Sequence, residues 1–276
     1  QEWGRGVCAE GVRKLRSGKV AAAFAVLLVV SFAVMNAMPS DTLPAALLQE
    51  AVLALVAFAA VGFAIPDALE CCTKSVQQWN TVRFTATALL LAGLVGGAIT
   101  LLAWLFASGG TMACFASTAL SSTADLMENL LLLLGICLLT GLYEESFMRA
   151  LGIEAFERAL DTKRAILASA ALFALLHVGA LDVSAGQLVL LQAVLKFGQA
   201  LLFSVILGAL YVRTRRLWPC AFIHAGFDVL YMAPNVLLTG TMPETYASGA
   251  VGDTVLLAVS VLMLSGIVLK IRKEIA

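Results

Sequence analysis

The sequence predicts an all-α polytopic membrane protein with about eight transmembrane helices and both termini cytoplasmic. Three observations predict it. Of 276 residues, 61% are hydrophobic and only 13% charged, with a mean hydropathy of +0.95; soluble domains of this size do not have that composition, and helical membrane proteins do. Eight apolar runs succeed one another, each about 20 residues long, as a bilayer-spanning helix requires. The basic residues, finally, collect in alternate connectors between those runs.

The first run, Val20–Met38, follows a basic segment as a secretory signal would. It is longer than a signal core and lacks a convincing small-residue cleavage site, so it reads as the first span. The others are Ala45–Ile65, Phe84–Phe106, Leu126–Tyr143, Ala165–Leu181, Leu188–Val212, Leu217–Leu238 and Val251–Leu269. The connectors are short, so residues 1–276 read as a single transmembrane helical domain. No internal repeat is visible, unlike the commonest transporter architectures. Gly93 and Gly97 make a small-xxx-small step suited to close helix packing. The mixed segment Pro66–Arg83 reads as lying along the inner surface. Trp79 and Trp218 fall at inner boundaries and Trp104 at an outer one, as interfacial anchors do.

Charge fixes the orientation. Arg5, Arg13, Lys14, Arg16 and Lys19 precede the first span. Lys74 and Arg83 lie between spans two and three, and Arg149, Arg158, Lys163 and Arg164 between four and five. Arg213, Arg215 and Arg216 separate six from seven, and Lys270, Arg272 and Lys273 follow the last. Every Lys and Arg except Lys196 is thus on one side, whereas the opposite connectors carry Asp41, Asp125, Asp182 and Glu244. The positive-inside rule makes the basic side cytoplasmic. Net charge is zero, and no nucleic-acid partner is expected. The six cysteines, Cys8, Cys71, Cys72, Cys114, Cys137 and Cys220, form neither a zinc spacing nor a disulfide framework. Cys71-Cys72 could be lipidated at the bilayer edge; buried thiols are the plainer reading.

Polar groups inside apolar spans mark the site. Lys196 lies in span six and is expected to pair with Glu50 or Glu128 at comparable depth. Ionisable groups in a membrane are costly unless paired or used, and three segments concentrate them: Glu144-Glu145-x-x-x-Arg149, Phe173-x-x-x-His177 and His224-x-x-x-Asp228. Their two histidines are the only ones in the chain. At 1.5 Å rise per residue, His177 lies roughly 18 Å from the inner end of its span, His224 roughly 10 Å and Asp228 roughly 16 Å. Glu144 falls at a similar level if its helix continues toward Arg158.

Helical phase then suggests roles. Glu145 and Arg149, four apart, can pair on one face, which leaves Glu144 to face a cavity. Phe173 can wall that cavity beside His177. Asp228 can orient the His224 imidazole and favour its cationic form, a donor toward developing negative charge. Together these groups offer a base for water, a partner that steers it and a donor for an oxyanion.

As an ordered set, these motifs resemble those of the CAAX-protease and bacteriocin-processing (CPBP or Abi) family of intramembrane endopeptidases, over roughly Gly141 to Asp228. The resemblance implies an eight-helix fold with a cytoplasm-facing cavity and a glutamate-dependent peptidase without a cofactor. It implies that Glu144 and His177 activate water and that His224 and Asp228 stabilise the oxyanion, with Glu145, Arg149 and Phe173 supporting. Members acting on prenylated proteins typically carry Asn at the position of Asp228; an ionised Asp cannot donate to an oxyanion and would act through His224.

The expected partners are the lipid bilayer and a membrane-tethered peptide or protein. Short loops point to a bacterial cytoplasmic membrane, as a multi-pass protein. Two other readings compete. Glu144, His177 and His224 could hold zinc as a peptidase metal, although no His-Glu-x-x-His step exists. A non-enzymatic proton-coupled transporter or membrane scaffold would use the same buried charges differently.

Overall fold

The computed structural model describes residues 2–70, 75–107, 123–178, 186–243 and 247–275, with backbone only for 2–17, 107, 123–124 and 272–275. These residues form eight helices and, among them, no strand. They are α1 (Glu2–Ala37), α2 (Leu43–Ala64), α3 (Val76–Ala107), α4 (Thr123–Glu145), α5 (Thr162–Val178), α6 (Gln187–Thr214), α7 (Leu217–Thr239) and α8 (Val251–Ile275). Helix α4 runs on without a break as a π-helix, Ser146–Ile153, and a last α turn, Glu154–Phe156. Each predicted apolar run falls in its own helix. Seven spans are long and apolar enough to cross a membrane. Helix α5 has 17 described residues, and the end of its run at Leu181 lies outside the described part.

Local chemistry sets the helix ends. Thr42 caps α2, its hydroxyl accepting from the Ala45 amide at 3.3 Å, with Pro44 in the first turn, where its missing N–H costs nothing. Helix α7 ends on Gly240, whose φ of 71° is readily adopted by glycine. One expectation is corrected. The segment Pro66–Arg83 does not lie along a surface as a unit: a 3-10 turn covers Pro66–Leu69, and Val76–Arg83 already belongs to α3. Its polar residues extend the spanning helix past the apolar run. The predicted features at Cys71, Cys72, Lys74, Cys114, Asp182 and Glu244 lie outside the described residues, as do the side chains of Arg5, Cys8, Arg13, Lys14, Arg16, Arg272 and Lys273.

Helix α6 is central, with 56% of its apolar window buried, whereas α1 is peripheral at 17%. Large side chains such as Leu55, Phe63, Leu94 and Leu262 point outward, as a lipid-facing surface demands. Helix α7 lies between α3 and α4, and small residues admit it. A Cβ on Gly93 would come within 2.8 Å of the Phe227 carbonyl, and one on Gly141 within 2.6 Å of the Ala221 carbonyl. Gly97 faces the Leu230 carbonyl, whose usual helical donor four residues on is Pro234, which has no N–H. Lipid tails offer no hydrophobic drive for helix association, so such close backbone packing replaces it.

Three connectors are tied together at one end of the bundle. The Arg216 guanidinium bonds the Asp67 carbonyl and pairs with Glu70 at 2.5 Å, and Trp218 Nε1 donates to the Leu69 carbonyl at 2.8 Å. Arg215 bonds Glu154 at 2.9 Å and Glu157 at 2.8 and 2.9 Å. It does so with a φ of 50°, in the left-handed region. Burial would raise the Glu157 pKa, but the Arg215 hydrogen bond and charge, helped by Thr162, hold it below its ordinary value.

Candidate functional site

The site is built where α4 changes register. From Ser146 to Ile153 every residue of the π-helix is buried; such segments widen the turn and recur at functional sites. Ser169 of α5 donates its hydroxyl to the Met148 carbonyl at 2.6 Å, satisfying a backbone group within the altered turn. Helix α5 packs on this π-helix and on α6.

All seven residues singled out in the sequence come together. Arg149 and Glu145 are fully buried, with Nε and Oε2 at 3.0 Å. The contact lies outside hydrogen-bond geometry, so charge holds it rather than alignment. The Arg149 guanidinium also stacks over the Phe173 ring at 4.5 Å. Glu145 turns its other oxygen to His224, with Oε1 at 2.7 Å from Nδ1. The remaining nitrogen of His224, Nε2, faces two acids, Asp228 Oδ2 at 3.3 Å and Glu144 Oε2 at 3.5 Å. Both ring nitrogens therefore meet carboxylates, an arrangement that an imidazolium with two N–H donors fills.

His177 stands across from Glu144, with Nε2 at 3.7 Å from Oε1. Its Nδ1 donates to the Phe173 carbonyl at 2.9 Å, which directs Nε2 to the acid. Phe173 lies against this ring at 4.1 Å between centroids. Phe203, from α6, packs edge to face on the His224 ring at 4.8 Å between centroids. So Glu144 touches both histidines, one from α5 and one from α7.

Next to Glu144 a cavity of about 500 Å³ extends between α1, α4 and α5. Leu28, Ser31, Phe32 and Met35 supply the α1 wall, and Leu175, Leu176 and His177 face them. Phe32 and Leu175 are 56% and 62% exposed, so the cavity opens sideways on the lipid-facing surface. Nothing in the sequence alone had linked α1 to the site.

The expected neighbours of Lys196 were Glu50 and Glu128; its Nζ donates to Gln199 Oε1 at 3.2 Å. Glu50 of α2 also belongs to the neighbourhood. It bonds the Thr140 side chain, one turn before Glu144, and the charges of Glu144 and Asp228 reach it. Among the described residues no group of three His, Cys, Asp or Glu side chains has the spacing of a metal cage.

Residues 126–230, from α4 to α7, match the family model described as Rce1-like: Type II CAAX prenyl endopeptidase Rce1-like. A comparison with curated proteins finds no match.

Proposed function

We propose that the chain, whose residues 126–230 match the Rce1-like CAAX prenyl endopeptidase model, is a multi-pass intramembrane protease that hydrolyses a peptide bond of a membrane-tethered substrate with a water activated by Glu144. One observation carries this reading: Glu144, which meets both histidines, also borders the cavity between α1, α4 and α5. The 3.7 Å between Glu144 and His177 exceeds a direct hydrogen bond. A water bonded to both at ordinary lengths fits the apex of that triangle, and either group can accept its proton as attack proceeds.

His224 and Asp228 lie on the other side of Glu144. An imidazolium held by Glu145 at Nδ1 presents its Nε2–H toward the carbonyl oxygen as it becomes an oxyanion. Asp228 orients that donor rather than donating itself. Neutralised by Arg149, Glu145 is spared for holding the ring. A protonated Glu144 can then return its proton to the leaving amine, which closes the cycle without a cofactor. The sideways opening suits a substrate that arrives within the bilayer. The basic connectors, near which α7 begins two turns before His224, support a reacting bond in the cytoplasmic half by the positive-inside rule. Residues 1–276 act as one domain in this reading, in a bacterial cytoplasmic membrane.

The test uses purified protein in lipid nanodiscs and two quenched-fluorescence probes, a farnesylated CAAX peptide and an unprenylated peptide with an apolar membrane anchor. Wild type should cleave at least one, and Glu144→Gln should lose roughly 10²- to 10⁴-fold in kcat at unchanged thermal stability. Activity should survive a chelator. Loss restored by added zinc replaces the proposal with a metallopeptidase. Proton-coupled uptake into sealed vesicles, with neither probe cut, replaces it with a transporter.

A further inference from the structure

One hydroxyl in the wall of the cavity beside Glu144 is unused by this mechanism. Ser31 sits within the apolar run of α1 and is only 3% exposed, and it lines the cavity together with Tyr143, Glu144 and His177. Aromatic packing sets its level. Phe24 lies against Phe147 at 5.0 Å and Phe156 at 5.8 Å between ring centroids, and Phe147 stacks on Tyr143 at 6.1 Å. Ser31 is about 10 Å further along α1 than Phe24, at 1.5 Å per residue, and shares its wall with Tyr143. The two helices therefore run in opposite senses, and Ser31 comes level with the residue before Glu144.

A serine inside a helix commonly turns its hydroxyl back to the carbonyl four residues earlier. Ser31 Oγ makes no hydrogen bond of any kind; the Tyr143 hydroxyl approaches it without hydrogen-bond geometry. A buried hydroxyl left in this state is destabilising, whereas its neighbours Leu28, Phe32 and Met35 make the rest of the α1 wall apolar. A polar group entering the cavity would offset that cost. An extended peptide supplies one, because each of its backbone amides needs a partner once it leaves water. The amides of a helix are already paired within the helix, and a hydrocarbon chain has none.

We propose that Ser31 binds the substrate: its hydroxyl hydrogen-bonds one backbone amide beside the scissile bond, so that the cavity takes an extended peptide with apolar side chains. Glu144 and His177 then meet the chain at a fixed register, with Leu28, Phe32, Met35, Leu175 and Leu176 around its side chains. The inference rests on the peptidase reading of Glu144 given above, and its first readout is binding, which needs no cleavage.

Binding is measured in nanodiscs on Glu144→Gln protein, which should hold a peptide without cutting it. The ligands are the two probes above and copies of each in which one amide at a time becomes an ester. Ser31→Ala in that background should weaken the better-bound probe roughly three- to tenfold, the contribution of one neutral hydrogen bond. One ester copy should lose about as much when Ser31 is present and nothing further once Ser31→Ala is made, the non-additivity of two groups in contact. Ser31→Ala should melt at or above the parent protein, because it removes a hydroxyl that the folded chain leaves unpaired. Should Ser31→Ala not fold, Ser31→Thr against Ser31→Val makes the same comparison, the hydroxyl being what distinguishes them. Equal affinity with and without the serine overturns the proposal, whether or not the melting temperature falls. So do ester losses that are the same in both backgrounds, and so does the absence of binding by either probe. Should a probe bind in this serine-dependent way while wild type cuts neither, the protease reading fails and the peptide site stands.

Discussion

Gly141 of α4 lies against the Ala221 carbonyl of α7, so close that a Cβ would approach the oxygen to 2.6 Å. The contact is backbone to backbone, and α7 is the helix that carries His224 and Asp228. Gly141→Ala should push α7 outward and destabilise the protein by roughly 1–3 kcal/mol, as overpacking does. Thermal unfolding in detergent measures it. Protease activity should fall further than stability explains, because the imidazole moves away from Glu144 one turn along. An unchanged melting temperature would show that the helices part without cost.

Arg149 is the strongest structural test. Removing one member of a fully buried ion pair costs about 3–5 kcal/mol, so Arg149→Ala should unfold at markedly lower temperature. Arg149→Lys should rescue only part of this. A lysine restores the charge beside Glu145 but not the planar group that stacks on Phe173 at 4.5 Å. Full rescue by lysine would remove the stacking from the explanation.

The cavity against α1 yields a kinetic test. Leu28→Trp would fill space opposite Glu144 and His177 while leaving their contacts alone. KM for the farnesylated probe should rise several-fold with kcat within about twofold, the pattern of lost uniform binding. A fall in kcat with KM unaltered would mean that α1 serves the chemistry instead.

Acid should loosen the end of the bundle at Glu157. Its folded pKa lies below the ordinary carboxylate value, so the unfolded state binds the proton more readily. The clamp on Arg215 therefore contributes stability above the unfolded pKa, near about 4.3, and loses it as pH falls through the lower folded value. Wild type should melt above Glu157→Gln at neutral pH, with the gap closing below about pH 4. A gap independent of pH would separate Glu157 from that linkage.

Much of this was readable in the residues. The helices were legible because each span needs one long apolar run, and the runs at Val20–Met38 through Val251–Leu269 each found a helix. Pairs four apart were legible too: Glu145 with Arg149, Phe173 with His177, and His224 with Asp228 all meet. Helical phase fixes such pairs before any tertiary contact forms. It does not say which face of one helix meets which face of another. That is why Phe203 on the His224 ring and the α1 wall of the cavity went unseen. The π-helix was hidden for another reason: Ser146–Ile153 differs in nothing obvious from an ordinary amphipathic turn.

That π-helix has a consequence for how the chain tolerates change. Glu144 precedes it, and Glu154 and Glu157, which grip Arg215, follow it. The wider coil thus works as an angular spacer between the reacting carboxylate and the bracket at the bundle's end. Removing a single residue within Ser146–Ile153 would turn one side against the other by roughly a quarter of a turn, a little less than in an α-helix. A deletion there should be far more damaging than most substitutions at the same positions, and a compensating insertion in the next turn should recover what was lost.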